Sequence, residues 1–275
     1  MILWDQASGE IYRTIDVDSS VRALCFTSDS QYLAIGDDSG TVHMLDVARG
    51  TTNKWQSKGA VTGLQYDEAR NAFIVLSNTL ELRDAKTGKV LSSLPARTAK
   101  TGKIAYAQNG LILGSCIAND GRVHDKNAWS IKANKLVAEP QAFEDSTDYQ
   151  SFKVSTYAIG ISRDGKFGTS NTPWGQWQLW NLEKRSVVES TLTSYRGCLR
   201  DVYDFAFSFD GKYVAAGTSD GTARVWDVAT GRQLLILDAD VAYITDIEFQ
   251  ASGQLITANS DGTVHVWNVP KHLAD

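Results

Sequence analysis

Gly217-Thr-Ser219-Asp-Gly221 fits the G-x-S-x-G spacing that presents a nucleophilic serine to an acyl substrate. That chemistry needs a strand running into a helix, because the sharp turn exposes the hydroxyl beside backbone N–H donors. Here strand leads to turn and then to strand, so the match is formal. Gly160-Ile-Ser-Arg-Asp-Gly165-Lys166 comes close to a phosphate-binding loop, yet Phe167 stands where a metal-binding Ser or Thr is required. The histidines, His43, His124, His265 and His272, show no metal-ligand spacing. His43 and His265 stand two residues before Leu45 and Trp267, which reads as one structural position used twice. Cys25, Cys116 and Cys198 are far apart, and neither a disulfide framework nor a zinc site follows from them. Reduced, partly buried thiols are expected. The acids are scattered through turns, and no carboxylate pair stands out as an acid/base couple. Asp204 and Asp246, at matching places in two repeats, are the one hint of an active centre.

Composition narrows the partners. The net charge of −5 argues against a nucleic-acid interface, since phosphate binding needs a concentrated basic face. Met1 to Glu10 lacks the basic region and apolar run of a signal peptide. No apolar stretch approaches the roughly 18 residues needed to span a membrane. The expectation is a cytoplasmic protein without cofactor or metal, and without nucleic-acid or membrane partners.

The elements that would position any site come from an internal repeat. An apolar or aromatic anchor leads into a turn at Phe26, Tyr66, Tyr106, Ile161, Phe207 and Phe249, with spacings of 40, 40, 55, 46 and 42. A second signal follows each anchor by roughly 20 residues: Leu45-Asp46, Arg83-Asp84, Trp129-Ser130, Trp180-Asn181, Trp226-Asp227 and Trp267-Asn268. Trp4-Asp5 is an extra copy at the start. Val202 to Phe207 and Val264 to Val269 alternate at period two, as half-buried strands do. Ser219-Asp-Gly221, Ser260-Asp-Gly262 and Asp38-Ser-Gly40 read as tight turns, where Asp bonds the turn backbone and Gly accepts a positive φ.

Several evenly spaced copies over essentially the whole chain resemble the WD-repeat β-propeller family, with repeats of about 40–45 residues ending in Trp-Asp. The resemblance implies an all-β propeller of four-stranded antiparallel blades, one domain over 1–275. It implies six repeats, approximately 16–56, 57–94, 95–140, 141–192, 193–237 and 238–270, with a closing hairpin or partial blade at 2–15. The last repeat lacks an outer strand. The ring is therefore six-bladed with a spare strand, or an incomplete seven-bladed one, and the fragment reading leaves fewer strand edges open. The family's Gly-His pair before each first strand is absent in every repeat, so its histidine-centred network is not expected.

In this family's layout, blade-to-blade loops and second-to-third-strand loops share one face. The 55-residue spacing places an insertion near 119–153. Phe143, Tyr149 and Phe152 in that stretch, with Trp174, Tyr195, Arg196 and Arg200 nearby, are the aromatic and arginine types that dominate binding hot spots. The alternative is that Phe143, Phe152 and Trp174 fold inward and cap a small core. The expected function is a non-enzymatic scaffold binding a peptide or partner domain through loops of blades three to five. Two alternatives stand beside it: the sensor part of a larger effector protein, and an enzyme with a small-molecule or metal site in the axial channel.

Overall fold

The computed structural model describes residues 1–95, 103–114, 127–138, 159–171, 177–184, 186–188 and 202–269. The chain divides into two compact units, Met1–Lys100 and Thr101–Asp275. Among the described residues every regular element is a strand, save a single 3-10 turn at Glu68–Arg70 and the lone helical residue at Val269.

The first unit opens with a hairpin, β1 (Ile2–Trp4) against β2 (Ile11–Thr14). Two four-stranded sheets follow: β3 (Val21–Phe26), β4 (Tyr32–Asp37), β5 (Thr41–Asp46) and β6 (Thr52–Gln56), then β7 (Gly63–Asp67), β8 (Ala72–Leu76), β9 (Thr79–Asp84) and β10 (Val90–Pro95). The second unit holds three more four-stranded sheets. They are β11 (Ile104–Tyr106), β12 (Leu111–Gly114), β13 (Asn127–Lys132) and β14 (Lys135–Ala138); β15 (Ile159–Ile161), β16 (Phe167–Asn171), β17 (Trp177–Asn181) and β18 (Ser186–Val187); and β19 (Val202–Phe207), β20 (Tyr213–Thr218), β21 (Thr222–Asp227) and β22 (Gln233–Asp238). A three-stranded sheet closes the series: β23 (Ile244–Phe249), β24 (Leu255–Asn259) and β25 (Val264–Trp267). Strand order follows chain order in every sheet and all pairings are antiparallel, which is the blade of a β-propeller. The anchor spacing therefore located the sheets, and among the described residues the last repeat holds three strands.

Turn chemistry explains why these residue types recur. After the first strand, the Thr27, Ser162 and Ser208 hydroxyls donate to Asp29, Asp164 and Asp210 at 2.6–2.7 Å. Each of those carboxylates also accepts the backbone N–H two residues on. After the third strand, the Asp of the Trp-Asp signal accepts a backbone N–H three residues later: Arg49 at Asp46, Thr87 at Asp84 and Thr230 at Asp227. The motif aspartate is a turn cap.

Neighbouring sheets within a unit pack face to face. Ala206, Ala215, Val225 and Leu237 meet Ile244, Ile247, Phe249 and Leu255 between the last two sheets. One sheet earlier, Trp177 and Leu179 pack against Phe205, Val214 and Trp226, with the Trp177 and Trp226 rings edge to face at 4.5 Å. The second strands β4 and β20 are buried along nearly their whole length, and small residues such as Ala34, Gly36, Ala215, Ala216 and Gly217 let neighbouring layers approach there. Gly217 in β20 is one, since a Cβ there would press on Ile244 Cγ2 at 2.7 Å.

Candidate functional site

The formal catalytic motifs dissolve in this fold. Gly217 and Thr218 end β20, Gly221 (φ +79°) makes the turn and Thr222 begins β21, so Ser219 lies on a strand–turn–strand hairpin. Gly160 to Lys166 is likewise the turn from β15 to β16. Among the described residues no group of three His, Cys, Asp or Glu could hold a metal, and no helix is long and apolar enough to cross a membrane.

All seven expected binding residues, Phe143, Tyr149, Phe152, Trp174, Tyr195, Arg196 and Arg200, lie outside the described residues. What the structure describes is the frame from which their segments depart. Chain direction alternates across an antiparallel sheet, so starts of first and third strands share an edge with ends of second and fourth strands. Segment 139–158 meets β15 at Ile159, segment 172–176 joins the end of β16 to the start of β17, and segment 189–201 follows β18. These four boundaries lie at one end of the same sheet.

That end of the second unit carries a charged group. A bulge in β19 between Val202 and Asp204, and its equivalent in β23 between Ile244 and Asp246, re-aim the residue that follows. Asp204 and Asp246 consequently hold matching places on neighbouring first strands, β19 and β23. Lys103, just before β11, places Nζ 2.8 Å from Asp204 Oδ1 and 3.3 Å from the Tyr203 carbonyl. Burial and the bond to Asp246 push the Asp204 carboxyl well above the usual carboxylate range, and Lys103 offsets this only in part. Glu248 is exposed at the surface, while partial desolvation by neighbouring strands and the Asp246 charge push it up to about 7. The rings of Tyr203 and Tyr243 lean together beside the group at 5.5 Å. Asp204 and Asp246 stand at matching places because two first strands come side by side.

A sequence signal existed. Three residues before each anchor stand Ala23, Gly63, Lys103, Ala158, Asp204 and Asp246. That column is small in three repeats and charged in the other three.

A second polar belt lies inside the sheets, three residues before the Asp or Asn that closes the third-strand signal. His43, Glu81, Gln178 and Arg224 occupy it and are all buried. His43 Nε2 bonds Asp37 Oδ2 at 3.0 Å, and Ser39 Oγ and the Thr41 N–H donate to the other oxygen of that carboxylate. Arg224 pairs with Asp220 at 2.9 Å and donates to Thr222 Oγ1. This histidine bond is not the family's Gly-His network: its acid comes from the end of the second strand, Asp37. His265 takes the equivalent place in the last sheet, its ring edge-on to Trp267. His43 and His265 thus occupy the same position in two sheets.

Comparison with known proteins agrees with this geometry. The family model described as "WD domain, G-beta repeat" matches residues 9–46, 189–227 and 231–268. The chain carries WD repeats. A subunit of chromatin assembly factor 1 from Gallus gallus is 37% identical over 179 residues, 65% of this chain and 25% of the chicken protein. The beta subunit of a guanine nucleotide-binding protein from Nicotiana plumbaginifolia is 29% identical over 132 residues, 46% of this chain and 33% of that one. Serine-threonine kinase receptor-associated protein of Rattus norvegicus is 23% identical over 234 residues, 84% of this chain and 61% of the rat protein. This WD-repeat chain spans less than two thirds of each relative's length.

Proposed function

We propose that this WD-repeat chain is a non-enzymatic protein-binding scaffold whose contact residues are Phe143, Tyr149, Phe152, Trp174, Tyr195, Arg196 and Arg200. The observation that carries the reading is the placement of their segments' boundaries. The segments leave sheets whose strands are held by packed cores and by turns capped with Asp, so a partner meets anchors on a firm frame. Aromatic and arginine side chains supply most of the binding energy in such contacts. Asp261, in the second-to-third-strand turn of the last sheet, favours the approach of a basic partner. Two of the relatives are, by name, parts of larger assemblies and a third is receptor-associated, which supports a binding role.

The test is affinity capture with the wild-type chain, Trp174→Ala and Tyr195→Ala, each quantified against its own melting curve. Proteins retained by the wild type and lost from both variants, at melting temperatures within about one degree, support the proposal. Equal retention refutes it. Loss of binding together with melting refutes it too, and assigns these side chains to capping a local core.

A further inference from the structure

We propose that Arg163 and Phe209 form the centre of a second docking surface, one that takes an acidic peptide segment with an apolar residue in it. The surface lies at the opposite end of the sheets from the proposed contact segments and does not depend on them. Arg163 and Phe209 hold one position of the repeat, two residues after the anchors Ile161 and Phe207, in the turns β15–β16 and β19–β20. Side by side, the two turns place the Arg163 guanidinium over the Phe209 ring, with Cζ 3.7 Å from its centroid. Gln108, at the same position of the β11–β12 turn, donates its backbone N–H to the Arg163 carbonyl at 2.8 Å. First turns of three successive sheets are thereby joined. They are firm as well: Ser162 and Ser208 bond Asp164 and Asp210 within them, and a Cβ on Gly165 would collide with the Asn109 amide.

A single exposed aromatic signifies little. Phe209, at 55% exposure, differs because it seats a cation. The stacked guanidinium is ordered in advance, and its planar fork of N–H donors fits a carboxylate. Among the described residues no carboxylate occupies that fork; the neighbouring Asp164 instead accepts the Ser162 hydroxyl and the Lys166 N–H. Charge selects the partner. Lys166 and Lys212 close the two turns, and Lys184 and Arg232 stand in turns between third and fourth strands, which antiparallel pairing puts at this same end. Asp210 approaches Lys212 only at 3.5 Å with both side chains well exposed, a weak pair. At the other end Asp240 and Asp261 face solvent, whereas Lys103 and Arg224 are paired with Asp204 and Asp220. Among the described turns of the second unit, the Arg163 end is therefore the basic one. Its bases alternate with Asp164, Asp210 and Glu183, which suits a short acidic segment and opposes a continuous phosphate backbone.

The probe is a displayed library of random peptides, selected on the intact chain; the selected sequences are then made as labelled peptides and titrated by fluorescence anisotropy. They should carry Asp or Glu beside an apolar or aromatic residue, and bind more weakly as salt is added. Affinity should fall about tenfold or more in Arg163→Glu and in Phe209→Ser. Arg163→Lys keeps the charge but loses the flat fork, and should lose most of the same affinity. Trp174→Ala should leave it unchanged, which separates failure here from failure of the loop proposal. Should Arg163→Glu or Phe209→Ser melt early, Lys166→Glu combined with Lys212→Glu decides, since both lysines are exposed; it should weaken binding about threefold or more. Selected peptides that lack acids, or a library that yields none above background, overturn the proposal. So does affinity retained in Arg163→Glu, affinity lost in Trp174→Ala instead, or a labelled single-stranded oligonucleotide that binds more tightly than the peptides.

Discussion

Arg83→Met should destabilise the chain by about 3–5 kcal/mol, whereas Arg83→Met combined with Glu81→Leu should recover most of that loss. Both side chains are nearly sealed from water, at 8% and 3% exposure. Glu81 Oε2 accepts from Arg83 Nε at 2.8 Å, and a second guanidinium nitrogen lies 2.7 Å away. The guanidinium also donates to the carbonyls of Gly88 (3.0 Å) and Gln56 (2.8 Å). Gln56 ends β6, so one side chain ties the two sheets of the first unit together. Removing Arg83 alone strands a buried carboxylate whose one other named donor is Thr79 Oγ1, at 3.0 Å. Stranding a buried charge in this way is what makes the single substitution severe. Removing both ions leaves two carbonyls to re-pair, at about 1–2 kcal/mol net. The double variant should therefore be about 2–3 kcal/mol more stable than Arg83→Met alone, and milder than the sum of the singles. Urea unfolding followed by tryptophan fluorescence suits this measurement, since the Trp55 ring lies under the guanidinium at 5.8 Å. Single variants costing under about 1 kcal/mol, or strictly additive costs, would refute the reasoning.

The Trp-Asp signal predicts unequal tryptophans. Trp226, 2% exposed and against Trp177, should cost about 3–5 kcal/mol on truncation to Ala, while Trp4, 54% exposed at the equivalent motif position, should stay within about 0.5 kcal/mol; urea midpoints decide. Asp37 answers to acid in the opposite sense to Asp204. Burial opposes its ionisation, but the bonds from Ser39, His43 and Thr41 outweigh burial and hold the carboxyl below 3.8. Its stabilisation is therefore complete above that value and disappears as pH falls through the lower folded one. Asp37→Asn should flatten the acid limb of a stability-against-pH curve, and an unchanged limb would count against the assignment.

Much of the fold was readable in the residues. The anchors and the Trp-Asp signals mark the first turn and third-strand end of each repeat, because those positions need a fixed chemistry: an apolar wedge, a carboxylate cap, a residue tolerant of positive φ. The hairpin of Ile2 to Thr14 was visible in the same way, as was the three-stranded last sheet among the described residues. The polar belt was half visible. His43 and His265 were seen to share a position, but Glu81, Gln178 and Arg224 differ too much in chemistry for the column to show without sheets to align them.

What the sequence determined by itself is local: a turn, a cap or an alternating strand is specified by residues within about ten positions of one another. Hence the period and strand order were legible. Whether Asp204 and Asp246, 42 positions apart, would stand at matching places on neighbouring strands was decided by sheet packing, with a bulge before each. Lys103 reaches a partner 101 residues on for the same reason. Contacts of that kind are set by where neighbouring sheets bury their apolar faces, and a charge carries no mark in the sequence of which charge it will face.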